Sequence, residues 1–157
     1  MKLKNYCISL GLLSLAAACA PAQTPGVLTI AEPVKLTMPR SGESVQVLKL
    51  QLKPGYHVNS NTPNDDYLIP LKLTWDNPNV ELVAVEYPKP TLEKSDFSEK
   101  PLSVFTGAFE LKTRFKRSAK AMPGPGFLNG KLRYQACNEK MCLPPKTIDV
   151  KVPLLVD

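Results

Sequence analysis

Two cysteines, Cys137 and Cys142, stand with four residues between them in the stretch YQACNEKMCLPPK, from Tyr134 to Lys146. Thiols at that spacing support three kinds of chemistry: a structural crosslink, a pair of soft metal ligands, or a dithiol that trades electrons with other thiols. The sole histidine, His57, would complete a Cys2His set with them, and Met141 or Met122 would add a thioether suited to Cu(I). A structural zinc site needs four ligands and a blue-copper site usually takes two histidines, so copper binding through His57, Cys137 and Cys142 stands as the alternative. His57 follows a Pro-Gly step in Gly55-Tyr56-His57-Val58-Asn59, the setting of an ordinary structural histidine on a strand. A single histidine gives no Ser-His-Asp set, Asp65 and Asp66 sit in a polar turn after Pro63, and no glycine-rich phosphate loop is present.

The compartment decides what a cysteine pair means. The chain opens MKLKNYCISLGLLSLAAACAPAQ: two lysines, an apolar run from about Cys7 to Ala18, then small residues. That is the layout of a secretory signal, and the run is shorter than the roughly 20 residues of a spanning helix. Residues 1–22 are therefore read as a signal segment with linker, and 23–157 as one exported domain. The run Leu15-Ala16-Ala17-Ala18-Cys19 resembles a bacterial lipobox with Cys19 as the lipidated residue, while Ala20-Pro21-Ala22 would serve an ordinary signal peptidase. Either way Cys7 and Cys19 are spent, leaving Cys137 and Cys142 as the only free thiols of the mature chain. Loss of Lys2 and Lys4 lowers the formal charge from +6 to +4, a mildly basic surface that fits solubility or anionic lipid better than nucleic acid. The expected site of residence is the periplasm or cell envelope, with contact to membrane only through a lipid anchor.

The roughly 135 residues that follow are enough for one hydrophobic core. Their pattern has period two. Phe109, Leu111, Thr113 and Phe115 alternate with Glu110, Lys112, Arg114 and Lys116, which describes a strand with one buried and one wet face. Tyr67, Ile69, Leu71, Leu73 and Trp75 share a parity, as do Leu132, Tyr134 and Ala136, and Ile148, Val150, Val152 and Leu154. The apolar phase switches between Val47 and Leu48, which predicts a bulge or a strand facing two layers. Lys53-Pro54-Gly55, Asp76-Asn77-Pro78-Asn79, Met122-Pro123-Gly124-Pro125-Gly126 and Asn129-Gly130 read as breakers. No helical stripe of convincing length follows the signal, so the expectation is an all-β protein, a β-sandwich.

A bridge closing a loop of about six residues restricts the unfolded chain by only about 2 kcal/mol. A domain of this size has little need of it. Asn138, Glu139, Lys140 and Met141 form a polar turning insert, and Leu143-Pro144-Pro145 stiffens the exit. A bond on such a turn is accessible, and accessible, strained disulfides are the ones that exchange. An inert bridge in a structural or interaction domain remains a further alternative.

YQACNEKMCLPP, with PGYHVNSNTPNDDYLIP, the Tyr87-Pro88 step and the Val104-Phe105-Thr106-Gly107 turn, resembles the N-terminal periplasmic domain of the thiol:disulfide interchange protein DsbD over roughly Val34 to Val152. The resemblance implies an immunoglobulin-like β-sandwich that passes reducing equivalents between thioredoxin-like or DsbD/CcdA-type redox proteins of the envelope, without a cofactor. It places Cys137 and Cys142 on the family's redox pair, with Cys142 engaging partners and Cys137 resolving the mixed disulfide. It also implies a cap ring over the pair, a position that Phe105 fits, with Tyr67 and Tyr134 as further candidates to line the site. The sequence to Asp157 carries no membrane section and no thioredoxin-like domain, so the electron source is expected in another protein, and the cysteine spacing is shorter than in the best-known members.

Overall fold

A computed structural model describes residues 26–95 and 98–157, and the regular elements among them are all strands. In chain order these are β1 (Leu28–Ile30), β2 (Leu36–Met38), β3 (Glu43–Leu52), β4 (His57–Asn59), β5 (Lys72–Asp76), β6 (Val80–Glu86), β7 (Thr91–Ser95), β8 (Ser98–Thr106), β9 (Ala108–Arg117), β10 (Gly124–Tyr134), β11 (Ala136–Cys137) and β12 (Lys146–Val156). The expected signal segment and the candidate lipidation site Cys19 lie outside the described residues. Three four-stranded sheets form, in the orders β1-β3-β9-β6, β2-β12-β10-β5 and β11-β4-β8-β7. Neighbours run antiparallel except β2, which lies parallel to β12.

Alternation builds the first two sheets as the sequence predicts. In β9 the side chains of Leu111, Thr113 and Phe115 are buried while Glu110, Lys112 and Lys116 are exposed. The basic face of that strand is solvated and paired, Arg114 with Glu43 and Glu86 and Lys116 with Glu81. Leu48, Leu50 and Leu52 of β3 share one core with Leu128 and Leu132 of β10 and Val150, Val152 and Leu154 of β12, which makes the expected sandwich. Trp75 of β5 ties the layers together. Its ring meets Phe115 of β9 edge-on at 5.6 Å between centroids, and its Nε1 donates to the buried Thr113 hydroxyl at 3.1 Å. Burying that threonine therefore leaves no hydroxyl without a partner.

Four local expectations are corrected. Asn129-Gly130 is not a turn: it lies inside β10, where Gly130 faces Trp75 across the pairing and a Cβ would fall 2.6 Å from the indole ring. Glycine is there to admit the ring. Gly124, Pro125 and Gly126 likewise begin β10 instead of interrupting the chain. At Val47 and Leu48 no bulge occurs, because β3 pairs with β9 in unbroken register and the inward face continues through Gln46, whose side-chain amide donates to the Val47 carbonyl at 3.1 Å. Finally, Tyr67, Ile69 and Leu71 precede β5 in a loop, so their shared parity marks no strand.

The third sheet positions the cysteines. Lys53-Pro54-Gly55-Tyr56 turns the chain into β4, with Gly55 at φ +79° and the Tyr56 amide donating to the Lys53 carbonyl at 3.2 Å. Proline before a glycine of positive φ is the chemistry of a type II turn. A second glycine of positive φ, Gly107 at +59°, lets β8 turn directly into β9.

Candidate functional site

Cys137 ends β11, a two-residue strand held on one side by β4 and on the other by the returning chain. Cross-strand register puts Cys142, Cys137, His57 and Thr106 in one row, and Ala136, Val58 and Phe105 in the next. Adjacent rows face opposite sides of a sheet. Ala136, Val58 and Phe105 join the main core, whereas Leu102 and Val104, on the parity of Thr106, pack with Leu68 in a separate small cluster. The cysteine row thus faces away from the main core.

The insert between the cysteines is a tight hairpin. The Leu143 amide donates to the Ala136 carbonyl at 2.8 Å and the Asn138 amide to the Met141 carbonyl at 2.9 Å. Asn138 Oδ1 accepts from the amides of Lys140 and Met141, both at 2.9 Å, so this one side chain organises the tip. Cys137 and Cys142 face each other at 3.9 Å between Cα atoms and are joined as a disulfide. Their exposure differs: Cys137 is fully buried, and Cys142 is partly open at the edge of the hairpin. Glu139, Lys140 and Met141 project into solvent around it.

Gln135, which interrupts the run from β10 to β11, anchors the hairpin to the rest of the domain. Its Oε1 accepts from the Ile69 amide and from Asn59 Nδ2, each at 3.2 Å, and its Nε2 donates to the Leu143 carbonyl at 3.3 Å. One amide therefore joins β4, the loop before β5 and the residue after Cys142. Replacing it strands a backbone N–H and a carbonyl at once. Gln135→Ala is expected to destabilise the domain by about 1–3 kcal/mol in denaturant titration, with Gln135→Glu unable to restore the Leu143 contact because a carboxylate cannot donate.

His57 sits directly across the β4–β11 pairing from Cys137, nearly buried, with Nδ1 3.7 Å from Glu93 Oε2 of β7. Burial pushes its pKa below the ordinary histidine value, and the Glu93 carboxylate pulls the other way. Its Nε2 is buried without a hydrogen-bond partner. His57, Glu93, Lys94, Thr106 and Glu139 line a cleft of about 330 Å³ that reaches the hairpin tip.

Other expected site residues fall elsewhere. Phe105 is 3% exposed, stacks on Phe109 at 5.1 Å between ring centroids, and pairs in the row of Val58 and Ala136, which belongs to the main core. Tyr134 is also a core residue, and burial pushes its phenol above the usual tyrosine range against a hydrogen bond with the Leu28 backbone. Tyr67 stands 62% exposed on the loop before β5, its hydroxyl 3.5 Å from Asp65 Oδ2. Among the described residues no three His, Cys, Asp or Glu side chains gather into a group able to hold a metal ion, and with both cysteines bonded to each other the His57, Cys137 and Cys142 ligand set is not assembled. Gln135, Asn59 and Glu93 are the site residues that the sequence did not single out.

The sequence matches the family described as thiol:disulfide interchange protein DsbD, N-terminal, over residues 25–154. No curated protein matches it. Among solved structures, the N-terminal periplasmic domain of ScsB from Proteus mirabilis is similar at a TM-score of 0.55 and 17% identity, covering 76% of this chain and 43% of that one. This chain therefore spans less than half of that relative's length. The N-terminal domain of DsbD from Neisseria meningitidis in the reduced form matches at a TM-score of 0.41 and 19% identity, covering 68% of this chain and 74% of that one. Every described strand begins within the family match, and the bridged cysteines lie inside it; the chain belongs to the DsbD N-terminal family.

Proposed function

We propose that this protein is a thiol:disulfide interchange component of the cell envelope, passing reducing equivalents between redox partners through Cys137 and Cys142. The observation that carries this reading is the unequal exposure of the two bonded cysteines, one fully buried and one partly open on a polar hairpin. A thiolate of a reduced thioredoxin-like partner attacks Cys142 Sγ, the bond to Cys137 breaks, and its electron pair leaves on Cys137 Sγ. The partner's second thiol then displaces Cys142, so that the partner ends as a disulfide and this protein as a dithiol. Run in the other direction, Cys142 attacks an oxidised envelope protein and Cys137 attacks Cys142 to release that protein reduced. Exchange chemistry needs no cofactor, and the partners are thioredoxin-like or DsbD/CcdA-type proteins. Periplasmic residence follows the family, and a lipid anchor at Cys19 would hold the domain close to a membrane-embedded donor.

Equilibration with a dithiol redox buffer tests the reading. An exchanging pair is expected to open at a potential above about −300 mV, whereas inert structural bridges of exported proteins lie below it. A bridge that stays closed down to that potential makes this an interaction domain with a structural staple.

A further inference from the structure

We propose that His57 is the proton acceptor for Cys137, taking the Sγ proton as Cys137 attacks the mixed disulfide on Cys142, with Glu93 holding the imidazole in place. The inference rests on the interchange reading. A buried thiol is a poor nucleophile, because the thiolate is the attacking species and burial disfavours it. Cys137 is buried, yet it is the sulfur that must attack to release a partner bound at Cys142. It requires a base at hand.

His57 meets the requirement on three counts. It lies opposite Cys137 in register and on the same face, which brings the two Cβ atoms within about 4.5–5.5 Å. Its Nδ1 lies 3.7 Å from a Glu93 carboxylate oxygen, which favours the proton on that nitrogen and the lone pair on Nε2. That Nε2 is buried with no donor when the cysteines are bonded, and reduction creates one, the S–H of Cys137. An acceptor left without a partner in one redox state and satisfied in the other is what a proton relay demands. On attack, the thiol proton passes to Nε2, the Cys137 electron pair forms the bond to Cys142 Sγ, and the Cys142–partner bond breaks with its pair leaving on the partner's sulfur. Glu93 then faces the imidazolium, completing a nucleophile, base and orienting carboxylate.

Charged and titratable groups line the cleft beside this ring from several elements: Glu93 and Lys94 from β7, Lys53 and Tyr56 from the turn before β4, and Glu139 from the hairpin. Burial outweighs the Glu93 field and keeps the imidazole neutral near pH 7, the form that accepts a proton. Acceptor function therefore persists down to a pH below about 6.5 and is lost under that. A buried thiol without a base would instead slow tenfold per pH unit throughout the neutral range, because burial lifts its pKa above the ordinary thiol value of about 8.5.

The test uses the whole protein, reduced chemically and mixed with a chromogenic aromatic disulfide. Capture at Cys142 is bimolecular, and the attack of Cys137 that follows is unimolecular, so the two phases separate. In His57→Gln the unimolecular phase is expected to slow roughly 10²-fold at pH 7 and to rise with hydroxide, while capture is unchanged. In Glu93→Gln, a substitution at a half-exposed side chain, the acid limb should move to lower pH because the field that raised the imidazole pKa is gone. A parental closing rate and pH profile in His57→Gln, or equal slowing of both phases, overturns the proposal. Should His57→Gln fail to fold, an unmoved acid limb in Glu93→Gln overturns it. The synthetic disulfide keeps this outcome separate from the interchange reading, which stands or falls on the measured potential.

Discussion

A Cys137→Ala protein is expected to accumulate mixed disulfides with thioredoxin-like proteins of the envelope, and a Cys142→Ala protein to accumulate none. Attack on a disulfide requires approach along the axis of the bond, so an incoming thiolate reaches only a sulfur with open space before it. Cys142 is the partly exposed residue of the pair, at the hairpin edge, and Cys137 is fully buried, so approach is expected at Cys142. Without Cys137 the adduct at Cys142 has no resolving thiol and persists. Without Cys142 the remaining thiol is out of reach, and transfer between partners should fall to background. Stability does not confuse the comparison, because both variants lose the same bridge, worth about 2 kcal/mol for a loop this short. Non-reducing electrophoresis of envelope extracts reads the outcome. Adducts that form equally well in the two variants would mean that the hairpin opens before it reacts.

The frame of this protein was legible where a strand has one wet face. Phe109 to Phe115 and Ile148 to Leu154 alternate because one row meets the core and the other meets water, and the alternation survives into the fold. The third sheet hides its geometry for the opposite reason. In β8, Leu102, Ser103, Val104 and Phe105 are all buried, and in β4 so are His57, Val58 and Asn59. With both faces covered no alternation is left to say which way a residue points. Phe105 beside Gly107 therefore fits a cap as well as a core position in the sequence, and its register with Val58 and Ala136 favours the core.

Pairing between distant segments accounts for the rest of the site. The cysteine motif and its hairpin are local, and Asn138 to Met141 turn as their polarity predicts. His57 and Glu93, in contrast, lie 80 and 44 residues upstream of Cys137, and nothing in either local sequence announces the meeting. The histidine reads as structural because its neighbours are apolar. Gln135 is partly legible, as the polar residue in Tyr-Gln-x-Cys, but its three partners come from β4, the loop before β5 and the hairpin exit.

Phe105→Ala should cost about 3–5 kcal/mol, the range for truncating a buried phenylalanine. The ring is 3% exposed, stacks on Phe109, and shares its row with Val58 and Ala136, so its loss opens a cavity beneath the sheet that carries the cysteines. Strands on either side are hydrogen-bonded and cannot collapse into the gap without breaking register. Alkylation of the reduced protein should accelerate only as far as the unfolded fraction grows, with Cys137 and Cys142 gaining reactivity together. A cap would behave differently: its removal would speed the reaction of Cys142 alone and leave the denaturation midpoint nearly in place. Measuring midpoint and alkylation rate on one sample separates the two, and a midpoint shift below about 1 kcal/mol with a selectively faster Cys142 would return Phe105 to the mouth of the site.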